Sequence, residues 1–168
     1  AFYPHTNDDL LAVGIAIDDM TLENGCLKVI PGSHKGRVYD HLQNGYFIGA
    51  VTEPDFTAEG AVPVQIKAGG ISIHHVRLLH GSAANTSNMS RRLLLFQYCA
   101  LDAWPLLHAN TASDDLWENL KNKTLRGERT NQPRVTAVPV RLPLPRESGV
   151  GSIYERQTEL KRPLFDAT

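Results

Sequence analysis

His74-His75-Val76-Arg77-Leu78-Leu79-His80-Gly81-Ser82, continuing to Arg91-Arg92, is the most informative stretch of this sequence. A histidine at the end of a strand is followed, eleven residues later, by an arginine opening the next strand. The imidazole can give a lone pair to a divalent metal. The arginine, seated deeper, can grip a carboxylate in a two-pronged charge-assisted hydrogen bond. Ser82 lies two residues after His80, so period-two alternation points it the same way, where its hydroxyl can help hold that carboxylate. Arg92 then falls on the opposite face from Arg91. Taken alone, the same residues describe a packed strand histidine and a solvated edge charge. The surrounding sequence decides between the two.

Outward from that stretch, short strands alternate with turn residues. Leu10–Ile17 is an apolar run of strand length, followed by Asp18-Asp19 and Glu23-Asn24-Gly25 as turns. Cys26–Ile30 is a second strand, stopped by Pro31-Gly32. A looser polar stretch runs from Ser33 to about Gly60. Val62, Val64 and Ile66 alternate with Pro63, Gln65 and Lys67, and Gly69-Gly70 turns the chain. Ile71–Val76 and Arg92–Ala100 complete the set. Short strands joined by long loops predict a mainly β domain, a jelly roll rather than a meander.

Beyond Trp104 the chain holds Pro105, Pro133, Pro139, Pro143, Pro145 and Pro163, which disfavours long regular elements. One helix is predicted at about Asp114–Lys123, with Ser113 as N-cap, Asp114 and Asp115 at the positive end of the dipole, and Leu116 and Leu120 as an apolar stripe. Pro139–Pro145 reads as an extended tail wrapping the barrel. Leu142, Leu144, Ile153, Tyr154 and Leu164 still need burial there.

The bulk numbers narrow the function classes. With 168 residues and 42% hydrophobic content, one domain with a real core is expected. The net charge of -1, with no basic block, argues against a nucleic-acid surface. No apolar run is long enough for a membrane-spanning helix. Ala1–Asp9 has neither the basic nor the apolar part of a signal peptide. Cys26 and Cys99 make no disulfide framework, so a reduced, cytoplasmic setting is expected.

The order of several blocks resembles the phytanoyl-CoA dioxygenase family. They are Tyr3-Pro4-His5-Thr6-Asn7-Asp8, Glu23-Asn24-Gly25-Cys26-Leu27, Val29-Ile30-Pro31-Gly32-Ser33-His34, His80-Gly81-Ser82, Asn85 and Arg91. The likeness covers residues 1 to about 104. It implies a double-stranded β-helix of cupin-like, jelly-roll form, with barrel strands in 1–104 and a C-terminal extension in 105–168. It also implies an iron(II) and 2-oxoglutarate-dependent dioxygenase that hydroxylates an unactivated C–H bond of a small molecule. In that family two histidines and one carboxylate hold the iron. His80 maps onto the third ligand, Arg91 onto the anchor of the cosubstrate's far carboxylate, and Ser82 onto its helper.

The first two ligands of the family, a His-x-Asp pair, are absent from the chain. By resemblance they are expected roughly one to four residues before Ala1, the N-terminal part of the oxygenase being missing. His5 and Asp8 have the wrong spacing, falling on opposite strand faces. His74 and His80, if the segment stays extended, lie about 20 Å apart at ~3.3 Å per residue, too far to share a metal. His74 and His75 are read as packing groups or as supports behind the metal ligands, and His34, after the Pro-Gly turn, as structural. Gln97 and Cys99 share strand parity with Arg91, and Tyr3 lies near the cavity mouth. Two other readings stay open: a related iron(II)/2-oxoglutarate halogenase, and a jelly-roll binding module without iron. Substrate identity and oligomeric state are not legible.

Overall fold

The computed structural model describes residues 4–106, 114–140, 146–147, 152–158, 160 and 164–165. Two three-stranded antiparallel sheets carry the fold. β1 (Leu10–Ala16) is the centre of one, between β6 (Ile71–His75) and β8 (Leu93–Cys99). β2 (Leu27–Val29) is the centre of the other, between β5 (Val62–Val64) and β7 (His80–Ser82). The chain passes from one sheet to the other between β1 and β2, β5 and β6, β6 and β7, and β7 and β8. That winding between two facing sheets is the jelly-roll arrangement.

β1 forms because Leu10–Ala16 is apolar, partly branched, and paired on both sides. Ala12 lies opposite His74 and Gln97, Gly14 opposite Ser72 and Leu95, and Ala16 opposite Leu93. Residues directly opposite share a face. These rows form the inward face. Its Ala16 end is the core: Ala16, Met20 and Cys26 are buried together, with Ile66 and Leu93 packed on them. The outer face carries Val13 and Ile15 in the centre, with Ile73 and Phe96 exposed on the flanks.

The turn between the sheets is set by two residues. Asn24 is fully buried; its Oδ1 accepts from Thr21 N–H at 2.8 Å and its Nδ2 donates to the Asp19 carbonyl at 2.7 Å. Gly25 has φ +75°, and a Cβ there would lie 2.5 Å from the Ala83 carbonyl oxygen. Only glycine fits. The Asn24-Gly25 pair is thus a joint between β1 and β2.

The stretch from Ser33 to Gly60, read from sequence as loose and polar, contains a hairpin. β3 (Leu42–Gln43) and β4 (Tyr46–Phe47) are joined by Asn44-Gly45, both with positive φ. That is the two-residue turn that matches strand twist. β9 (Arg146–Glu147) adds in parallel to β4. The helix α1 spans Asp114–Asn122, as expected, and Trp117 stacks on Trp104 at 5.9 Å. A short α2 (Ile153–Gln157) starts at a capping box between Ser152 and Glu155. Tyr3, Ser113, the side chains of Asp114, Asp115, Leu116, Ile153 and Tyr154, and residues 141–145 of the tail lie outside the described residues. Leu164 is half-buried. Among the described residues, no helix is long and apolar enough to cross a membrane.

Candidate metal and cosubstrate site

Sequence reasoning placed His80 at the end of a strand. It instead opens β7, a strand of its own. The change matters because β6 does not run on to it. Val76–Leu79 turns the chain from one sheet to the other, and His74 and His80 end with ring centroids 5.1 Å apart. The separation of about 20 Å expected for an extended segment is therefore wrong. The turn contains neither glycine nor proline. Side chains hold it: the Arg77 N–H donates to His75 Nδ1 at 3.1 Å, and the Arg77 guanidinium to Asp8 at 2.9 Å and to the Gly36 carbonyl. No group of three or more His, Cys, Asp or Glu able to hold a metal forms among the described residues.

The strand that carries His80 is fixed from its partner. The Ile30 N–H donates to the Leu79 carbonyl at 2.9 Å, and the Leu79 N–H donates to Ser33 Oγ at 2.9 Å. Gly32, with φ +79°, makes the turn that brings Ser33 there. The Pro31-Gly32-Ser33-His34 block thus serves to pin the residue before His80, and His34 packs beside His75 at 5.2 Å. On the strand's other face, a Cβ on Gly81 would fall inside the ring of Phe165. A C-terminal aromatic therefore backs β7 on the face opposite His80 and Ser82. A cavity of about 230 Å³ adjoins the strand, lined by His41, Val51, Phe56, His80, Ser82 and Phe165 among others. His41 is held down to about 4, burial being the largest cause.

His80 itself is exposed, and its Nδ1 lies 2.7 Å from the Leu78 carbonyl. A carbonyl only accepts, so Nδ1 carries the proton and Nε2 keeps its lone pair. That is the tautomer a metal ligand needs, oriented by a backbone partner. An iron(II) ion thus fits His80 as one ligand, and needs two more from outside the described residues. Burial, with the neighbouring His80 and His75 adding, holds His74 below the usual imidazole range.

Arg92 turns to the outside of the sheet. Arg92 clamps Asp18 on the outside, Nε to Oδ2 at 2.9 Å and Nη2 to Oδ1 at 2.7 Å. Those bonds, the side-chain ones first, hold the Asp18 carboxyl down at about 2. Arg91 is half-buried, and its charge is felt at the Cys26 thiol, which burial otherwise pushes up. Cys26 adjoins Leu27, whose partner across the sheet is Ser82. Ser82 on β7 and Arg91 just before β8 are thus both related to the Cys26 region, the one by strand register and the other by its charge. Among the described residues Arg91 has no acidic partner. Sequence parity found Gln97 on the inward face but gave no sign of the Ser33 anchor or the His74–His80 approach. The Pro31-Gly32 turn was the available clue to the former. His5 forms a single bridge to Pro105 rather than a metal site, and Asp8 goes to Arg77.

The family model for phytanoyl-CoA dioxygenase (PhyH) matches residues 1–93. A probable alpha-ketoglutarate-dependent hypophosphite dioxygenase of Stutzerimonas stutzeri is 39% identical over 172 residues, covering 98% of this chain and 58% of that protein. Phytanoyl-CoA dioxygenase domain-containing protein 1 of Danio rerio is 36% identical over 95 residues, covering 52% of this chain and 32% of its own length. The chain therefore spans little more than half of the first relative and a third of the second. Among solved structures, EvdO2 of Micromonospora carbonacea var. aurantiaca, complexed with 2-oxoglutarate, is 29% identical with a TM-score of 0.46, over 52% of this chain and 37% of that one.

Proposed function

The chain belongs to the phytanoyl-CoA dioxygenase family, and on that premise we propose that it forms the larger part of an iron(II)/2-oxoglutarate-dependent dioxygenase acting on a small molecule. In this reading His80 supplies one iron ligand through Nε2. The other two come from a His-x-Asp pair on a strand preceding Ala1. Arg91 grips the far carboxylate of 2-oxoglutarate, and Ser82 donates its hydroxyl to the same group. The observation that carries the reading is Arg91: a half-buried guanidinium that has no carboxylate partner among the described residues, beside an arginine that has one. Such a cation is costly to bury unless an anion arrives.

Bound iron(II) would supply dioxygen activation, one oxygen atom going to succinate as carbon dioxide leaves and the other to substrate. The chain's own contribution is positional. Arg91 and Ser82 orient the cosubstrate, and the Leu78 carbonyl holds the His80 ring in its ligand tautomer. The barrel wall keeps water from the reacting bond. The bond oxidised is an unactivated C–H by family resemblance. A second reading has specific support: the Stutzerimonas relative, which matches nearly the whole chain, is named for hypophosphite. That substrate offers a P–H bond instead. A halogenase would need the upstream aspartate replaced by a small residue.

The test is anaerobic addition of iron(II) and 2-oxoglutarate to the protein carrying this chain and its upstream ligand segment. The expected result is the weak visible charge-transfer band of the chelate. In Arg91→Ala the band should need roughly 30-fold or more 2-oxoglutarate, the loss of a charge-assisted pair worth about 2–4 kcal/mol. A folded protein with no band would return the chain to a binding module.

A further inference from the structure

The inward face of the first sheet changes character along its length. Where Ser72, Gly14 and Leu95 lie in one row, the trough closes: a Cβ on Gly14 would sit 2.9 Å from Ser72 Oγ and 3.1 Å from a Leu93 methyl. One row further from the core lie His74, Ala12 and Gln97. The central residue there is small and its flanks are polar. His74 and Gln97 sit on the two strands beside β1, so about 10 Å separates their backbones, twice the ~4.8 Å strand spacing.

Neither side chain is used by the fold. The Nδ1 of His74 is sealed off with no hydrogen-bond partner, which leaves Nε2 as the ring's polar handle. The amide of Gln97 is exposed and makes no hydrogen bond among the described residues. Yet the His74 ring lies against the ring of His80, 5.1 Å centre to centre. Two hydrogen-bond donors without partners among the described residues therefore flank the small Ala12, one of them against the ring of His80.

We propose that His74 and Gln97 are specificity residues that donate hydrogen bonds to a small oxyanion substrate held beside His80. The inference rests on the dioxygenase reading above and deepens it. The charge of such a substrate is balanced by the metal, so the flanking groups need not be charged. N–H donors on opposite sides would fix its orientation and leave its X–H bond turned toward the His80 side. The thioester chain of an acyl substrate would instead call for apolar flanks at this row. Hypophosphite, a tetrahedral ion with two oxygens and two P–H bonds, suits two opposed donors.

The experiment uses the protein with its upstream ligand segment. Zinc(II) replaces iron so that no turnover occurs, 2-oxoglutarate is saturating, and sodium hypophosphite is titrated calorimetrically. Wild type should bind. His74→Ala and Gln97→Ala should each weaken binding at least about tenfold, the usual cost of a hydrogen bond to a charged group. His74→Gln, which keeps a donor, should recover part of the loss. The chelate band of the iron(II) protein should be the same in all of them. Undiminished hypophosphite affinity in both alanine variants would overturn the proposal. So would a wild-type protein that shows the chelate band but does not bind hypophosphite. A wild-type protein without the band would instead bring down the dioxygenase reading, and this inference with it.

Discussion

At one end of β1, Ala16 closes on Met20, Cys26, Ile66 and Leu93. At the other, Ala12 lies open between His74 and Gln97. The strand is the same and its inward residues are small throughout. What differs is what faces them. The sealed end receives the second sheet through Cys26, so its apolar side chains have somewhere to go. The open end faces the mouth, where β7 presents His80 rather than a hydrophobic side chain. Burial is therefore concentrated at the Cys26 end, and polar groups, His74, Gln97 and His80, gather at the other. Changes near Cys26 should cost folding, and changes near His80 should cost ligand binding with little effect on the melt.

The largest expected effect tests the open end. His80→Ala should abolish the iron(II)/2-oxoglutarate band while the circular dichroism spectrum and melting temperature stay near wild type. A large drop in melting temperature would mean that His80 is structural and that the division between the ends is false. Next comes the sealed end. Gly25→Ala forces a side chain into a positive-φ position and against the Ala83 carbonyl. It should lose about 2–4 kcal/mol in urea unfolding, strain and overpacking together.

Ser33→Ala bridges the comparison, because Ser33 anchors the residue before His80. Removing the acceptor for the Leu79 N–H should cost about 1–2 kcal/mol of stability. It should also lower metal affinity several-fold; an unchanged affinity would show that β7 is held without it. The smallest effect is on the outside. Asp18 has its carboxyl lowered from 3.8 to about 2 by Arg92. A depressed carboxyl contributes stability that is present above its unfolded value and lost as pH falls through the folded one. The advantage of wild type over Arg92→Leu should thus be full above about pH 4 and vanish by about pH 2. Acid titrations of the two proteins by fluorescence would show it, and parallel curves would remove the clamp from the account.

Much of the fold was legible because its longer strands obey local rules. Leu10–Ile17, Ile71–Val76 and Arg92–Ala100 are apolar runs of strand length bounded by turn residues, and each is a strand within a residue or two. The β3–β4 hairpin was missed because two residues a side show no periodicity, although Asn44-Gly45 marks its turn. The Val76–Leu79 turn had no glycine or proline to announce it. It is held by Asp8 and Gly36, far off in sequence, and no local pattern carries that. The pairing of His74 with His80 was hidden for the same reason. By contrast, the outward turn of Arg92 onto Asp18 followed from alternation alone.

Gly81 and Phe165 lie far apart in the chain, yet one is the floor on which the other sits. Chains are made from the N-terminus at about 5–20 residues per second, so Phe165 is joined roughly 4–17 s after Gly81. Through that interval the strand bearing His80 has its β2 partner but no aromatic backing. A chain that stopped before Phe165 would hold β7 by its pairing with β2 but leave it unsupported from behind.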